Sequence, residues 1–284
     1  MAFCRQQAII RLMHAKSFCF LSEDLASSRG VFWLSGSPVR QTNRRTTDLH
    51  VHERGQIFVV ESGVMAVMTQ SSYWLIGPGQ LLWLPPDFVH EARSHGAITG
   101  WSLYITAERC SSVAHKPFVA DCTRLLMAQV ERLSQNAKET AYQASFTRLT
   151  ECFWDEFLSI PRHFASLPFP EDARLKRVAE ALSATPADPR GQQEWADMAG
   201  MSLRSFIRHF TTDTGMPFSA WRQRLRILNA QERLARRERV TDVAAAVGYE
   251  SLGAFATAFK KSTGYSPSAY AQRCRVGATE PTST

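Results

Sequence analysis

The feature that most limits what this chain can fold into is an internal duplication. Phe206, Phe210, Thr214, Gly215, Ser219, Ala220 and Trp221 recur 49 positions later as Phe255, Phe259, Thr263, Gly264, Ser268, Ala269 and Tyr270, with Ser202 and Ser251 opening the two copies. Ahead of each Ser lies a short apolar segment closing on Gly, from Trp195 to Gly200 and from Val243 to Gly248, and Glu250 adds one residue to the second turn. Helix, Gly turn, Ser cap and second helix is the order of a helix-turn-helix. Gly enters positive φ without steric cost, and the Ser hydroxyl takes up an N–H that a helix start leaves unpaired. Within each copy the Phe pair at i, i+4 shares one helical face, and the positions between point outward. That outward set is Arg204, Ser205, Arg208 and Thr211 in the first copy and Gly253, Thr257 and Lys260 in the second. A helical solenoid is the competing reading, and two copies are fewer than one usually needs.

Residues 218–236 join the copies, with Trp221, Leu225, Leu228 and Leu234 at roughly helical spacing and Arg222, Arg224, Arg226, Arg233, Arg236 and Arg237 around them. A helix of this length runs about 28 Å at ~1.5 Å per residue, not far from the roughly 34 Å pitch of B-DNA. One rigid connector would therefore hold two exposed helices in successive major grooves on one side of a duplex. The charge agrees with this: of the net +7, residues 171–284 carry 17 Lys and Arg against 12 Asp and Glu, leaving 16 against 14 for the first 170. Positive charge gathers where the duplication lies, as a surface facing phosphates requires.

The runs Gly200 to Phe210, Thr214-Gly215, Val247 to Ser251, Phe255 to Phe259 and Thr263 to Pro267 closely resemble the AraC-type family of bacterial transcription regulators, over about residues 172–273. The resemblance implies a partner in double-stranded DNA, and in RNA polymerase if the chain activates. Arg204 and Arg208 lie one turn apart on the outward face, where Arg bonds bidentately to guanine O6 and N7, with Ile207 and His209 nearby. The plain alternative is that both arginines touch only phosphate. Leu252, Gly253, Ala256 and Thr257 give the second helix no donor fork, so that half is expected to position the protein through Lys260, Lys261 and backbone N–H groups.

The first half has a different texture. Short β-type runs near residues 31–34, 56–60, 64–69, 73–76, 81–84 and 99–105 alternate with Gly, Pro, Ser and Asp turns, which indicates a small sandwich or barrel. His50 and His52 share parity, as does Gln56 unless Gly55 makes a bulge. His50, His52, Gln56 and Gly63, followed by Gly79, Pro85 and His90, resemble the two cupin motifs, with Gln56 in place of the usual Glu ligand and Asp87 in place of a Gly. AraC-type regulators often carry such a cupin-like barrel as the sensor of a small-molecule effector, commonly without metal. Three readings of the cluster stay open. It is a divalent metal site, with His50, His52 and His90 as the ligands; or the polar lining of an effector pocket, joined by Trp83; or a set of structural histidines. Phe58, Trp74, Phe88 and Trp101 add aromatic bulk that could wall a pocket or simply fill a core.

After residue 121 the period returns to 3.6: Leu126, Val130 and Leu133 form one stripe and Phe146, Leu149, Phe153 and Phe157 another, with a polar turn at 135–140. A helix pair beside the barrel follows, packed within one subunit or, as the resemblance implies, pairing two into a homodimer. Ala8, Ile9, Leu12 and Met13 could form a short amphipathic helix in an N-terminal extension at 1–25. The expected organisation is α+β in two domains. A cupin-like barrel with a helix pair at 26–160 and a linker at 161–171 precede an all-α double helix-turn-helix at 172–275 and a tail at 276–284.

Six cysteines, Cys4, Cys19, Cys110, Cys122, Cys152 and Cys274, form no C-x-x-C pair, and no apolar run reaches 18 residues. The expectation is a cytoplasmic regulator with no membrane partner and no catalytic residues. A metal-dependent cupin enzyme with an appended basic domain is the alternative, and Gln56 counts against it. A third reading keeps the DNA-binding half and makes the barrel a dimerisation element only.

Overall fold

The computed structural model of the chain describes residues 33–69, 71–135, 144–163 and 166–275. The N-terminal helix at 8–13, residues 31–32 of the first expected strand, most of the polar turn at 135–140 and the tail lie outside these. The chain divides into two compact units, residues 1–61 with 79–164 and residues 62–78 with 165–284.

The strands are β1 (Leu34–Gln41), β2 (Thr46–His50), β3 (Gly55–Ser62), β4 (Met65–Met68), β5 (Ser72–Ile76), β6 (Gln80–Leu84), β7 (His90–Ser94), β8 (Ile98–Ile105), β9 (Phe118–Asp121) and β10 (Leu167–Pro168). In the first unit β1, β8, β3, β6 and β9 form one sheet in that order. β3 is a continuous apolar run from Ile57 to Val60, buried at every one of those positions, as a strand covered on both faces must be. Ile57 and Val59 join Leu81, Trp83 and Leu103 in one core. The other side of that core is the helix pair α2 (Arg124–Gln135) and α3 (Ala144–Ser159), through Leu126, Val130, Leu133, Phe153 and Phe157. Between β8 and β9 lies the single turn α1 (Ala107–Cys110).

Both expected helical stripes are therefore core faces. β1 extends well beyond the expected 31–34, and β2, β7 and β9 were not expected at all. Thr46–His50 reads Thr-Thr-Asp-Leu-His and carries no apolar alternation. Its pairing with β7 rests instead on polar bonds across a register shift, where Thr47 Oγ1 donates to the Ala92 carbonyl at 3.2 Å and accepts from Ala92 N at 2.9 Å. Burial raises the Cys110 thiol to about 11 and the Cys122 and Cys274 thiols to about 12, so these three stay protonated at neutral pH.

The second unit holds the ladder β10-β5-β4 and seven helices among the described residues: α4 (Ala173–Ala184), α5 (Gln192–Met198), α6 (Leu203–Thr214), α7 (Phe218–Ala235), α8 (Val240–Ala246), α9 (Leu252–Thr263) and α10 (Pro267–Arg273). The duplication repeats in three dimensions. Gly200 and Gly248 sit in the turns at φ 64° and 81°, and Ser202 and Ser251 accept from Ser205 N and Ala254 N at 3.3 and 3.2 Å. Thr214 and Thr263 each donate to the carbonyl four residues back and accept an N–H from two residues on. Phe210 meets Trp221, and Phe259 meets Tyr270, in the same edge-on contact at 5.5 and 5.4 Å.

Each copy has its own core, and α7 belongs to both. Its first half gives Phe218, Trp221 and Leu225 to the core around Phe206 and Phe210. Its second half gives Ile227, Ala230 and Leu234 to the core around Phe255 and Phe259, which also takes in Val64, Ala66 and Leu75 of the 62–78 hairpin. One face of α7 ties the copies together by hydrogen bonds. Arg226 donates from Nε to the Pro186 carbonyl at 3.0 Å and from Nη1 to the Gly248 carbonyl at 3.2 Å. Arg222 donates to the carbonyls of Arg190 and Asp188, and Gln223 Nε2 donates to the Tyr249 hydroxyl at 2.7 Å. Four of the arginines around the connector are engaged within the unit: Arg222 and Arg226 bond carbonyls, Arg233 bonds Asn229 and Glu238, and Arg236 bonds Glu232. Helix termini and turns leave carbonyls that need donors, and a guanidinium on a neighbouring helix supplies several at once.

The two turn glycines make this clamp measurable. A methyl at Gly248 would stand 2.7 Å from Arg226 Nη2 and 2.9 Å from Ala187 Cα, whereas one at Gly200 meets nothing within 4 Å. Gly200→Ala should therefore cost only the left-handed backbone term of roughly 1–2 kcal/mol. Gly248→Ala should add about 1–3 kcal/mol of overpacking. Denaturant unfolding of both variants checks this, and equal losses would contradict the clamp.

Candidate nucleic-acid interface and the histidine cluster

α6 and α9 each bury a Phe pair and leave the opposite face open. On α6, Arg204, Ile207 and Arg208 are exposed, while Ser205 and His209 are half-buried. The amphipathic pattern fixes this, since Phe206 and Phe210 are fully buried and the residues between them turn away from the core. Arg204 and Arg208 thus share a free face one turn apart, and Arg208 Nη2 lies 3.2 Å from His209 Nε2. On α9, Leu252, Gly253, Thr257, Lys260 and Lys261 are exposed and Ala256 is half-buried. Nothing lies within 4 Å of a Cβ built on Gly253, so the outward side of this helix is flat near its start and basic near its end. All eleven residues named from the sequence for this surface fall on these two helices.

The histidines belong to the first unit. His50 ends β2 and pairs in register with His90, which begins β7, and their rings lie 4.3 Å apart between centroids. His52 follows outside the strand, its ring 5.2 Å from His90, so the chain turn at residues 51–54 brings it in and strand parity does not. That turn is tied down by Asp87 N, which donates to the His52 carbonyl at 2.9 Å. Asp87 itself has φ 58°, the left-handed conformation that a Gly adopts freely and an Asp tolerates. The departure from the cupin pattern at this position therefore keeps the backbone shape.

Gln56 is 1% exposed, and it bridges the group: its Oε1 lies 3.0 Å from His52 Nε2, and its Nε2 donates to Ser102 Oγ at 2.9 Å and to the Tyr104 hydroxyl at 2.7 Å. Desolvation lowers the basicity of His52, and desolvation reinforced by His50 and His52 takes His90 down to about 3. Both rings are neutral at pH 7.

Trp83 is not part of this group, and its assignment to an effector pocket is corrected. It pairs in register with Ile57, one position on from the Gln56 and Leu84 pair, so its side chain leaves the opposite face of the sheet. There it packs on Phe118 and Phe157 and donates from Nε1 to the Ala114 carbonyl. Sequence reasoning missed Ser102 and Tyr104. Their shared parity in the expected strand at 99–105 put them on one face, and the strand lying opposite Gln56 was the unknown.

Among the described residues no helix is long and apolar enough to cross a membrane. Residues 35–158 match the family described as an AraC-like ligand binding domain, and residues 195–273 match a family described as a helix-turn-helix domain. The HTH-type transcriptional regulator NimR of Escherichia coli K12 is 25% identical over 238 residues, covering 82% of this chain and 85% of NimR. The HTH-type transcriptional regulator RipA of Corynebacterium diphtheriae is 36% identical over 127 residues, 44% of this chain and 36% of RipA. The HTH-type transcriptional activator RhaR of Klebsiella pneumoniae is 30% identical over 126 residues, 43% of this chain and 45% of RhaR. With a β-rich unit that matches a ligand-binding domain and a doubled helix-turn-helix behind it, the chain belongs to the AraC-type family of transcription regulators.

Proposed function

We propose that this regulator reads DNA by laying α6 and α9 into successive major grooves, under the control of a small molecule held in its β-rich part. The observation that carries the reading is that one helix of 18 residues, α7, is buried in the cores of both helix-turn-helix copies. Their separation is then about the length of that helix, ~27 Å. Residues 172–275 would act as the DNA-binding domain, 26–160 as the sensor, and 161–171 as the linker.

The two copies divide the work. Arg204 and Arg208 present donor forks from a rigid helix and suit guanine O6 and N7. Leu252, Ala256 and Thr257 offer thymine methyls an apolar surface, and Lys260 and Lys261 face phosphate. His50, His52, Gln56 and His90 form the polar end of the sensor site, where the buried, neutral His52 and His90 suit a hydrogen-bonding ligand. The chain would act as a homodimer through α2 and α3, where Leu125 is 53% exposed. If it activates, RNA polymerase is the further partner. The relatives that it matches are transcription regulators, which favours this reading over a metal-dependent enzyme.

Competition binding with oligonucleotides selected from a random duplex pool tests the division. Arg208→Ala should cost about 1–3 kcal/mol and relax the base preference at its position, and Thr257→Ala should do less. A larger loss of preference from Thr257→Ala would reverse the ranking. Lys260→Ala should weaken all sequences alike and reduce the slope of log affinity against log salt by about 1. An unchanged slope would remove Lys260 from the phosphate contacts.

A further inference from the structure

Arg222 and Arg226 stand one turn apart on α7, and both line a cleft of about 680 Å³ in the helical unit, between the 187–189 loop, the start of α7 and the turn at 248–250. Like charges at that spacing destabilise a helix. Burial, and after it the charge of Arg226, hold the Arg222 guanidinium below its ordinary pKa. Asp188 partly offsets this, but it is already held by Arg190 in three bonds of 2.8–3.2 Å. Glu250, exposed, brings a single carboxylate to the cleft against the two guanidiniums.

Donors are left over as well as charge. Arg222 gives Nη1 and Nη2 to carbonyls, while its Nε is buried with no hydrogen-bond partner among the described residues. Arg226 uses Nε and Nη1 on the Pro186 and Gly248 carbonyls, and its Nη2 makes no bond among the described residues. The Ser219 hydroxyl lines the same cleft, exposed in the first turn of α7 and without a partner among the described residues. A buried N–H of a cation that lacks an acceptor is costly. An anion with several acceptor oxygens would take up these donors and the excess charge together.

We propose that this cleft binds a phosphate group through Arg222, Arg226 and Ser219. Its size suits a phosphate with a sugar attached, and Ala187, Pro189 and Ala245 give that sugar an apolar wall. Two sources share this chemistry: the DNA strand between the two grooves taken by α6 and α9, and a free phosphate ester. A strand phosphate held here would fix the duplex to the rod that spaces the two helices. A free ester would compete with the strand for the cleft. The inference rests on the DNA reading in the first case and stands without it in the second.

The test uses the full-length protein and two probes. The first is a set of selected duplexes, each with one neutral methylphosphonate linkage in the stretch between the two grooves. If the phosphate is DNA's, one linkage should cost the wild type at least about 10-fold in affinity, the size of one charge-assisted hydrogen bond. Arg222→Gln should then bind that duplex and the unmodified one alike. Each comparison sets two duplexes against one protein, so partial unfolding of the variant cancels. The second probe is inorganic phosphate, titrated by calorimetry at constant ionic strength. If the cleft takes a free ester, binding should saturate at one per chain and vanish in Ser219→Glu, which adds a carboxylate and keeps both arginines. The proposal is overturned if inorganic phosphate shows no binding that Ser219→Glu removes and either no linkage is sensitive or the sensitivity survives Arg222→Gln. Failure of the DNA reading itself would appear instead as no preferred duplex in the random pool, and the phosphate titration would still report on the cleft.

Discussion

Everything in the helical unit depends on α7 being shared. Four of the helices that pack on it, α6, α8, α9 and α10, run to only seven or twelve residues. Helices this short are marginal alone in water, and an isolated helix-turn-helix has little surface to bury. Trp221 and Leu225 give the first copy a floor, and Ile227, Ala230 and Leu234 give the second copy another, within one continuous helix. Packing that stabilises each copy therefore also sets their spacing. The Arg222 and Arg226 bonds to the 186–190 loop and the Gly248 turn hold the rotation about that axis. A guanidinium that satisfies several part-buried carbonyls at once is costly to move, because each released carbonyl loses its partner.

The β-rich unit works through a different economy. Its sheet and helix pair form a close-packed apolar core, so the opposite side of β3 is where polar chemistry concentrates. Gln56 leaves β3 on that side and is held by two hydroxyls from β8, while the register of β2 with β7 sets His50 against His90. His52 and His90 are buried neutral imidazoles beside the partly exposed His50, a set of ring nitrogens that suits a hydrogen-bonding ligand. Gln in place of a carboxylate brings no negative charge to the site.

The sequence showed the helical half well because that half is periodic and duplicated. Phe206, Phe210, Phe255 and Phe259 marked the buried faces, and Ser202 and Ser251 marked the helix starts, all by local rules. The connector arginines were harder to read, since charge in a sequence gives no sign of whether a carbonyl stands within reach. In the first half the apolar strands β3 and β6 were legible, while β2 was hidden, because its pairing runs through Thr47 and backbone groups. Trp83 was misplaced by one residue of parity, which in a strand is the whole thickness of the sheet. Nor could local pattern show that the hairpin at 62–78 belongs to the helical unit, through Val64, Ala66 and Leu75.

The most direct test of the account is hydroxyl-radical footprinting of the full-length protein on a duplex that it selects. Two helices fixed on one rod should protect paired blocks on a single face of the DNA, with centres about 10 base pairs apart. Single unpaired blocks, or pairs whose spacing drifts from one selected sequence to another, would mean that α7 does not hold the two helices at a set distance.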